Sequence, residues 1–328
     1  MGGTELAFSA SDLAQTRFAV SPMWEVGAGF RLLRSGADGP LHRRWLEQVR
    51  PRLAASGLDR GLLAELISTA PYVPDFLNPA PTSPAPTLPE ELAAITATPP
   101  DRVRLDLDRL RSHLGRLGPR TRSLYADTGA RLPRLAQEIE TYWELALAPY
   151  WARVRTVLDA DVFHRARQAA EQGAGRVLND LHPGVSWDRD ALRLARRRAL
   201  TRETAGPGLL LIPSAFKGPG LSTRVSPPDP PQLSYRARGV GTLWEPRPTT
   251  RTAAVAAVLG RSRTLLLTEL DTPANTTELA ARTGLSMAGV SQSLTALRAA
   301  GLVTAHRTGR TVLYARTSLA DSLLTTAG

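Results

Sequence analysis

The last quarter of the chain has the clearest alternation of apolar and polar positions. Val290, Leu294 and Leu297 are spaced by four and three residues, so they share one face of a helix. The segment that follows alternates apolar and polar side chains on both sides of Thr308 and Gly309. This pattern predicts two strands joined by a hairpin turn.

Helix signals surround this segment on both sides. Asn275 and Glu278 have the spacing of a capping box, which predicts the start of a helix. Gly284 allows the positive φ with which that helix ends. Earlier helices are predicted at Thr252–Leu259 and 262–270, and a last one at Ser318–Leu324. The predicted order is therefore helices, helix–turn–helix, β-hairpin and helix, which is the order of a winged helix.

The first 180 residues have a mostly helical pattern. Ser11 is the predicted N-cap of a first helix, after a short strand at residues 6–8. Pro149 is expected to break the longest helical stretch. Further helices are predicted at 40–55, 59–67, 89–95, 101–115 and 132–180.

The pattern changes near Val185, where apolar runs such as 209–212 favour short strands. We therefore predict a mainly α (α+β) protein with three contiguous domains. Residues 1–184 form a mostly helical N-terminal domain that senses a ligand or mediates dimerisation. Residues 185–246 form a strand-rich region packed on it, and residues 247–328 form a winged helix–turn–helix domain.

The positive charge is unevenly distributed along the 328 residues, whose net charge is +11. Residues 1–185 contain 22 basic and 21 acidic residues, whereas residues 186–328 contain 19 and 9. This difference predicts a polyanionic partner for the second part. The chain has no cysteine, no membrane-spanning apolar run and no signal-peptide pattern, so we expect a cytoplasmic protein without thiolate metal sites.

The predicted second helix of the helix–turn–helix presents small and polar side chains opposite its apolar stripe, as a helix in the DNA major groove does. Gln292 has the functional group that pairs with adenine. Arg307 and Arg310, together with His306, are expected to meet phosphates or the minor groove. The predicted DNA-binding residues are Thr276, Thr277, Ser286, Met287, Ala288, Ser291, Gln292, Thr295, Arg298, Arg307 and Arg310.

The segment TTELAARTGLSMAGVSQSLTALRAAGLVTAHRTGRTVLYART resembles the winged helix of the arsenic-repressor (ArsR)-type transcription regulators. The preceding RFAVSPMWE, YVPDFL and GLLLIPSAF resemble a subgroup with a large N-terminal domain of unknown role. The resemblance implies a homodimeric repressor on a pseudo-palindromic, double-stranded DNA operator. It also implies dimerisation through residues 251–270 and Ser318–Leu324. Metal sensing does not carry over, because thiolates are absent and the histidines form no ligand-spaced pair.

Several alternatives remain open from the sequence. One alternative is that the winged helix is a protein–protein interaction module. Another is that the regulator is fused to an unrecognised enzymatic domain. No GxSxG, Walker A or HExxH motif occurs, so we expect no enzyme activity, no cofactor and no metal. A small-molecule effector is expected, but its pocket is not identified.

Three side-chain groups allow two interpretations each. Tyr72 and Phe76 are either an aromatic wall of a ligand pocket or anchors of a loop. The cluster Arg196, Arg197 and Arg198 either extends the DNA footprint or is a solvated run. The aromatic residues Trp143, Tyr150 and Trp151 are core or interface side chains.

Overall fold

The computed structural model describes residues 4–35, 40–68, 72–188, 191–194, 208–245, 252–308 and 311–325. Within these residues the protein is mainly helical with small sheets, which confirms the predicted fold class. Across the same ranges, no helix is both long and apolar enough to cross a bilayer.

The first half of the chain is almost entirely helical. Its elements are β1 (Thr4–Ala7), α1 (Ala10–Ala14), β2 (Arg17–Phe18), α2 (Pro22–Arg34), α3 (Arg43–Ser56), α4 (Leu62–Leu66), α5 (Leu88–Thr96), α6 (Pro100–Leu114), α7 (Pro119–Ala126), α8 (Thr128–Ala146) and α9 (Trp151–Gln172). Ser9, not Ser11, caps the first helix, because Ser9 and Asp12 form a reciprocal capping box. Pro149 lies in a short 3₁₀ turn between α8 and α9, as the predicted break requires.

The second half contains most of the strands. Its elements are α10 (Ala174–Leu181), β3 (Val185–Asp188), β4 (Ala191–Leu194), β5 (Leu210–Ser214), β6 (Ser222–Arg224), β7 (Gln232–Arg236), α11 (Thr252–Leu259), α12 (Arg261–Glu269), α13 (Thr276–Thr283), α14 (Met287–Ala299), β8 (Val303–Thr308), β9 (Thr311–Arg316) and α15 (Ser318–Leu324). The α7 helix was not predicted from the sequence.

The chain divides into two compact units. Unit 1 consists of Met1–Asp38, Arg60–Ile139 and Val157–Val240, and unit 2 consists of Gly39–Asp59, Glu140–Thr156 and Gly241–Gly328. Both units are discontinuous in sequence, whereas the sequence analysis predicts three contiguous domains. The physical reason is that α3 and residues 140–156 contribute side chains to the same unit as the C-terminal helices. Trp45, for example, donates its indole N–H to the carbonyl of Ala146 at 2.7 Å.

Unit 1 is organised around a four-stranded sheet in the order β2-β5-β7-β6. The central strand β5 runs parallel to β2 and β7, while β6 is antiparallel to β7. All five residues of β5 are buried, which explains its uninterrupted apolar run. A smaller antiparallel sheet has the order β1-β4-β3.

Unit 2 has an apolar core formed by its C-terminal helices. Leu266, Leu279, Val290 and Leu294 are fully buried in it. Strands β8 and β9 pair in antiparallel register from Val303↔Arg316 to Thr308↔Thr311. The elements of residues 252–325 thus follow one another in the predicted order.

Candidate nucleic-acid interface

The α14 helix is held in place by a cap and an apolar stripe. Ser286 is its N-cap, and the hydroxyl of Ser286 accepts the Gly289 N–H at 3.1 Å. Val290, Leu294 and Leu297 are buried against the core of unit 2. These contacts fix which side of the helix faces outwards.

The outward side of α14 carries the residues that were predicted to contact DNA. Six side chains of this face are exposed: Met287, Ala288, Ser291, Gln292, Thr295 and Arg298. The Thr295 hydroxyl donates to the Ser291 carbonyl at 2.9 Å, so it is partly engaged within the helix. This face of α14 therefore consists mainly of small and polar side chains, with the cation of Arg298 and the exposed thioether of Met287.

The helix before it, α13, begins with the predicted capping box. The Asn275 side chain accepts the Glu278 N–H at 2.9 Å, and the Glu278 carboxylate accepts the Asn275 N–H at 3.1 Å. Thr277 is exposed in the first turn and Thr276 is half-buried. Gly284 ends the helix at φ 70°, where a side chain would be strained. The turn between α13 and α14 therefore depends on this glycine.

The β8–β9 hairpin is extended by a backbone bridge. Tyr314 and Ala274 exchange two N–H···O bonds, at 2.8 and 3.1 Å. Arg307 is exposed on β8, and Arg310 lies outside the described residues. The hairpin is thereby tied to the chain that leads into α13.

His306 does not lie with Arg307 on the outward side of the hairpin. Its Nδ1 lies 2.9 Å from the Glu144 carboxylate, and its Nε2 lies 2.8 Å from the Thr304 hydroxyl. The sequence prediction that His306 meets DNA phosphates is therefore not supported by its position, because α8 supplies a carboxylate from more than a hundred residues away.

A groove of about 610 Å³ separates this hairpin from α3 and the end of α8. Its ionisable lining consists of Arg52, Glu140, Glu144, Glu278 and Arg307. Three carboxylates thus lie beside the hairpin, so the groove itself is not an anion site. A DNA contact near the hairpin has to use its exposed side.

The charge distribution between the units differs from the distribution along the sequence. Unit 2 contains 15 basic and 9 acidic residues, and unit 1 contains 26 and 21. The basic excess is thus nearly equal in the two units, since the arginine-rich residues 186–240 belong to unit 1. Residues 186–328 therefore do not form a single basic unit, and their positive charge along the sequence gives less support for a polyanionic partner.

A buried ionic network positions the hairpin and the last helix. The Asp271 carboxylate binds Arg153 at 3.1 Å and Arg316 at 2.9 Å, and Arg316 also binds Asp321 at 3.0 Å. Arg153 further donates to the carbonyl of Glu245 at 2.7 Å. Both guanidinium groups are largely buried, so their charges depend on these partners.

Exposed apolar side chains gather on the first and last helices of the C-terminal segment. Val258 on α11 is 83% exposed and Leu319 on α15 is 54% exposed, and Leu323 is partly exposed beside it. Leu265 on α12 is also exposed. Half of the exposed large apolar side chains in the described residues therefore lie on α11, α12 and α15.

The remaining predicted groups have separate positions. Phe76 is buried as a loop anchor, whereas Tyr72 is half-buried, donates its hydroxyl to Asp106 at 3.2 Å and lines a cavity of unit 1. Trp143 and Trp151 meet edge to face at 4.8 Å between ring centres. The cluster Arg196, Arg197 and Arg198 lies outside the described residues. Among the described side chains no group of three or more His, Asp and Glu is arranged to hold a metal ion.

Comparison with protein-family models, with curated proteins and with solved structures finds no match to this chain. The likeness of residues 276–317 to ArsR-type regulators therefore stays a prediction from the sequence. The features that bear on function are the surface of unit 2 and the side chains of unit 1.

Proposed function

We propose that the protein is a sequence-specific DNA-binding transcription regulator that acts as a homodimeric repressor in the cytoplasm. The observation that carries this proposal is the exposed face of α14. A helix with an apolar inner stripe, a cap at its start and short polar side chains outside can approach base edges in the major groove. Helix–turn–helix and hairpin together are the winged-helix arrangement that the sequence predicts.

Each part of the surface has a distinct role in this proposal. Gln292 reads adenine through paired hydrogen bonds from its amide, and Ser291 and Thr295 contact neighbouring base edges. Arg298, Arg307 and the first turn of α13 meet phosphates, which position the helix without reading sequence. The short side chains of Ala288 and Ser291 permit the close approach that base contacts need.

The dimer forms through α11 and α15, where Val258, Leu319 and Leu323 are exposed. No charged residue occurs in Thr252–Leu259, so two copies can meet there without like-charge repulsion. A two-fold axis through this face places two α14 helices for the two halves of an inverted-repeat operator.

A second candidate function is binding of a protein partner through the same face of α14. Met287 is 49% exposed at the start of that helix, and exposed methionines are common at protein-binding surfaces. The three carboxylates beside the hairpin also favour this alternative over DNA. The two functions differ in their dependence on salt and on base sequence.

Selection of bound duplexes from a random pool by the full-length protein tests the proposal. We expect an inverted repeat whose half-sites are about one helical turn apart. Binding of all duplexes with equal affinity, or of none, contradicts sequence-specific regulation and leaves the protein-partner function as the better account of α14.

A further inference from the structure

Unit 1 contains a cavity of about 320 Å³, within the size range of small-molecule sites. It lies between α2, residues 72–78 that join α4 to α5, residues 216–218, and strands β6 and β7. Trp24, Tyr72 and Phe216 contribute aromatic walls, and Leu32 and Val73 add aliphatic surface. Part of the cavity wall is therefore aromatic and aliphatic.

Three cationic side chains from three different segments line the same cavity: Arg31, Lys217 and Arg224. Arg224 is only 7% exposed; its Nε donates to the Asp75 carbonyl at 3.0 Å and its Nη2 pairs with Asp229 at 2.9 Å. The remaining nitrogen of Arg224, Nη1, is buried and has no hydrogen-bond partner among the described residues. A buried donor of this kind is costly unless something accepts from it.

A second orphaned donor lines the cavity on β7. Ser234 is fully buried, and its hydroxyl has no hydrogen-bond partner in the described ranges. Ser234 pairs in register with Ser222 on β6, and the Ser222 hydroxyl accepts from the Lys217 ammonium at 2.6 Å. The β6–β7 pairing thus places Ser222, Arg224 and Ser234 close together in the cavity wall, and Lys217 is hydrogen-bonded to Ser222.

Acidic groups nearby offset part of this positive charge, and one of them, Asp229, pairs with Arg224. Asp75 is the one acidic side chain among the described lining residues; burial raises its pKa to about 6, so it is still largely ionised near neutral pH. Glu25 lies behind the wall and accepts the N–H groups of Ala215 and Phe216 at 2.7 and 3.1 Å. Burial raises the pKa of Glu25 to about 7, so near neutral pH its charge only partly offsets Lys217.

We propose that this cavity binds a small organic anion with an aromatic, apolar body, whose carboxylate or similar group lies beside the cationic side chains of Lys217 and Arg224. Arg31 adds a further positive charge at the cavity, and the aromatic walls hold the apolar body. Binding of the anion in the cavity does not depend on whether the protein binds DNA. Only the use of this anion as a signal that releases DNA rests on the proposed function.

Calorimetric titration of the full-length protein with three probes of one shape tests the proposal. The probes are 2-naphthoate, its neutral amide 2-naphthamide and the cation 2-naphthylmethylammonium. We expect 2-naphthoate to bind roughly ten- to a hundred-fold more tightly than the amide, since a hydrogen bond to a charged group is stronger than a neutral one. The cation should bind least.

Two variants and a control assign the site. Lys217→Gln and Arg31→Gln should each reduce the preference for 2-naphthoate over the amide by about ten-fold, while the affinity for the amide stays the same. Arg34→Gln changes an exposed arginine on the same helix that does not line the cavity, and it should leave the preference unchanged. The amide serves as an internal check that each variant retains a folded cavity.

No binding of 2-naphthoate, or equal binding of the anion and the amide, would overturn the proposal. An anion preference that Lys217→Gln and Arg31→Gln do not alter would also overturn it, because the anion would then lie elsewhere. Failure of DNA selection has no bearing on these titrations, so the two proposals can fail separately.

Discussion

The two units offer different kinds of evidence about binding. In unit 2 the largely buried guanidinium groups of Arg153 and Arg316 share the partly exposed carboxylate of Asp271, and the polar side chains of α14 point to solvent. In unit 1 three cationic side chains line a cavity with aromatic walls, and Arg224 Nη1 and the Ser234 hydroxyl have no hydrogen-bond partner among the described residues.

This difference decides what each unit reveals about its function. A buried donor without a partner is costly, so beside a cavity it favours a bound molecule that supplies the missing acceptor. An exposed polar helix face has no such cost, because water satisfies it, and a DNA-reading face looks the same as a solvated one. The binding chemistry of unit 1 can thus be argued from its interior, whereas that of unit 2 depends on the pattern of one surface.

The largest expected effect concerns the ionic network of unit 2. Asp271→Ala leaves two largely buried guanidinium groups without their shared carboxylate, and we expect a loss of about 3–5 kcal/mol in the free energy of unfolding. Chemical denaturation monitored by circular dichroism measures this loss. Arg263→Ala, an exposed change on α12, should stay within about 0.5 kcal/mol. A similarly small effect for Asp271→Ala would show that unit 2 does not depend on paired buried charges.

The next effect concerns a buried carboxyl of unit 1. Glu91 accepts from the Ser21 hydroxyl and the Met23 N–H, and burial raises its pKa from 4.5 to about 7. Its protonated form is favoured on folding, so its contribution to stability is present below pH 4.5 and is lost as the pH rises to 7. The loss amounts to about 3 kcal/mol.

Glu91→Gln should remove this loss, because the amide can accept from Met23 and donate to the Ser21 oxygen. Unfolding free energies of wild type and variant between pH 4.5 and 8 measure the difference. Glu90→Gln is the matched control: the pKa of this exposed carboxyl is lowered by hydrogen bonds from Thr87, so its small effect should have the opposite sign. A pH-independent difference for Glu91→Gln would contradict the raised pKa.

A smaller effect concerns phosphate contacts of unit 2. Arg298→Ala should weaken binding of all duplexes alike and should lower the slope of log affinity against log salt concentration by about 0.9. Fluorescence anisotropy at several salt concentrations measures this slope. Arg167→Ala, an exposed arginine of unit 1 paired with Glu171, should leave it unchanged. Equal slopes for wild type and Arg298→Ala would remove that residue from the footprint.

The smallest effect is expected from metals. Operator affinity should be the same with zinc, cadmium, arsenite or a chelator, because the chain has no thiolate and its histidines are scattered. The same anisotropy assay measures it. A reversible release of DNA by any of these additives would show that the protein senses a metal.

Local signals made parts of the fold predictable from the sequence. Asn275, Gly284 and Ser286 act through neighbours within four residues, so the bounds of α13 and α14 follow from short motifs. The break at Pro149 is equally local. The capping box of Ser9 with Asp12 is an equally local signal, and the prediction of Ser11 as the N-cap was wrong although both candidates lie in the same short segment.

Long-range contacts account for what the sequence could not predict. Nothing in the neighbourhood of His306 indicates that Glu144 will bind it, and the parallel pairing of β5 with β2 and β7 joins segments far apart in sequence. The cavity of unit 1 combines Arg31 with Lys217 and Arg224, which no spacing rule connects. Of the two aromatic candidates in that region, Tyr72 lines the cavity and Phe76 does not.

The most direct test of sequence-specific recognition by α14 is a paired selection with wild type and Gln292→Ala. The wild type should select an inverted repeat, and the variant should lose its preference at one base pair of each half-site, with a cost of about 1–3 kcal/mol on the wild-type sequence. Identical selected sequences, or equal losses on selected and random duplexes, would contradict base reading by this helix.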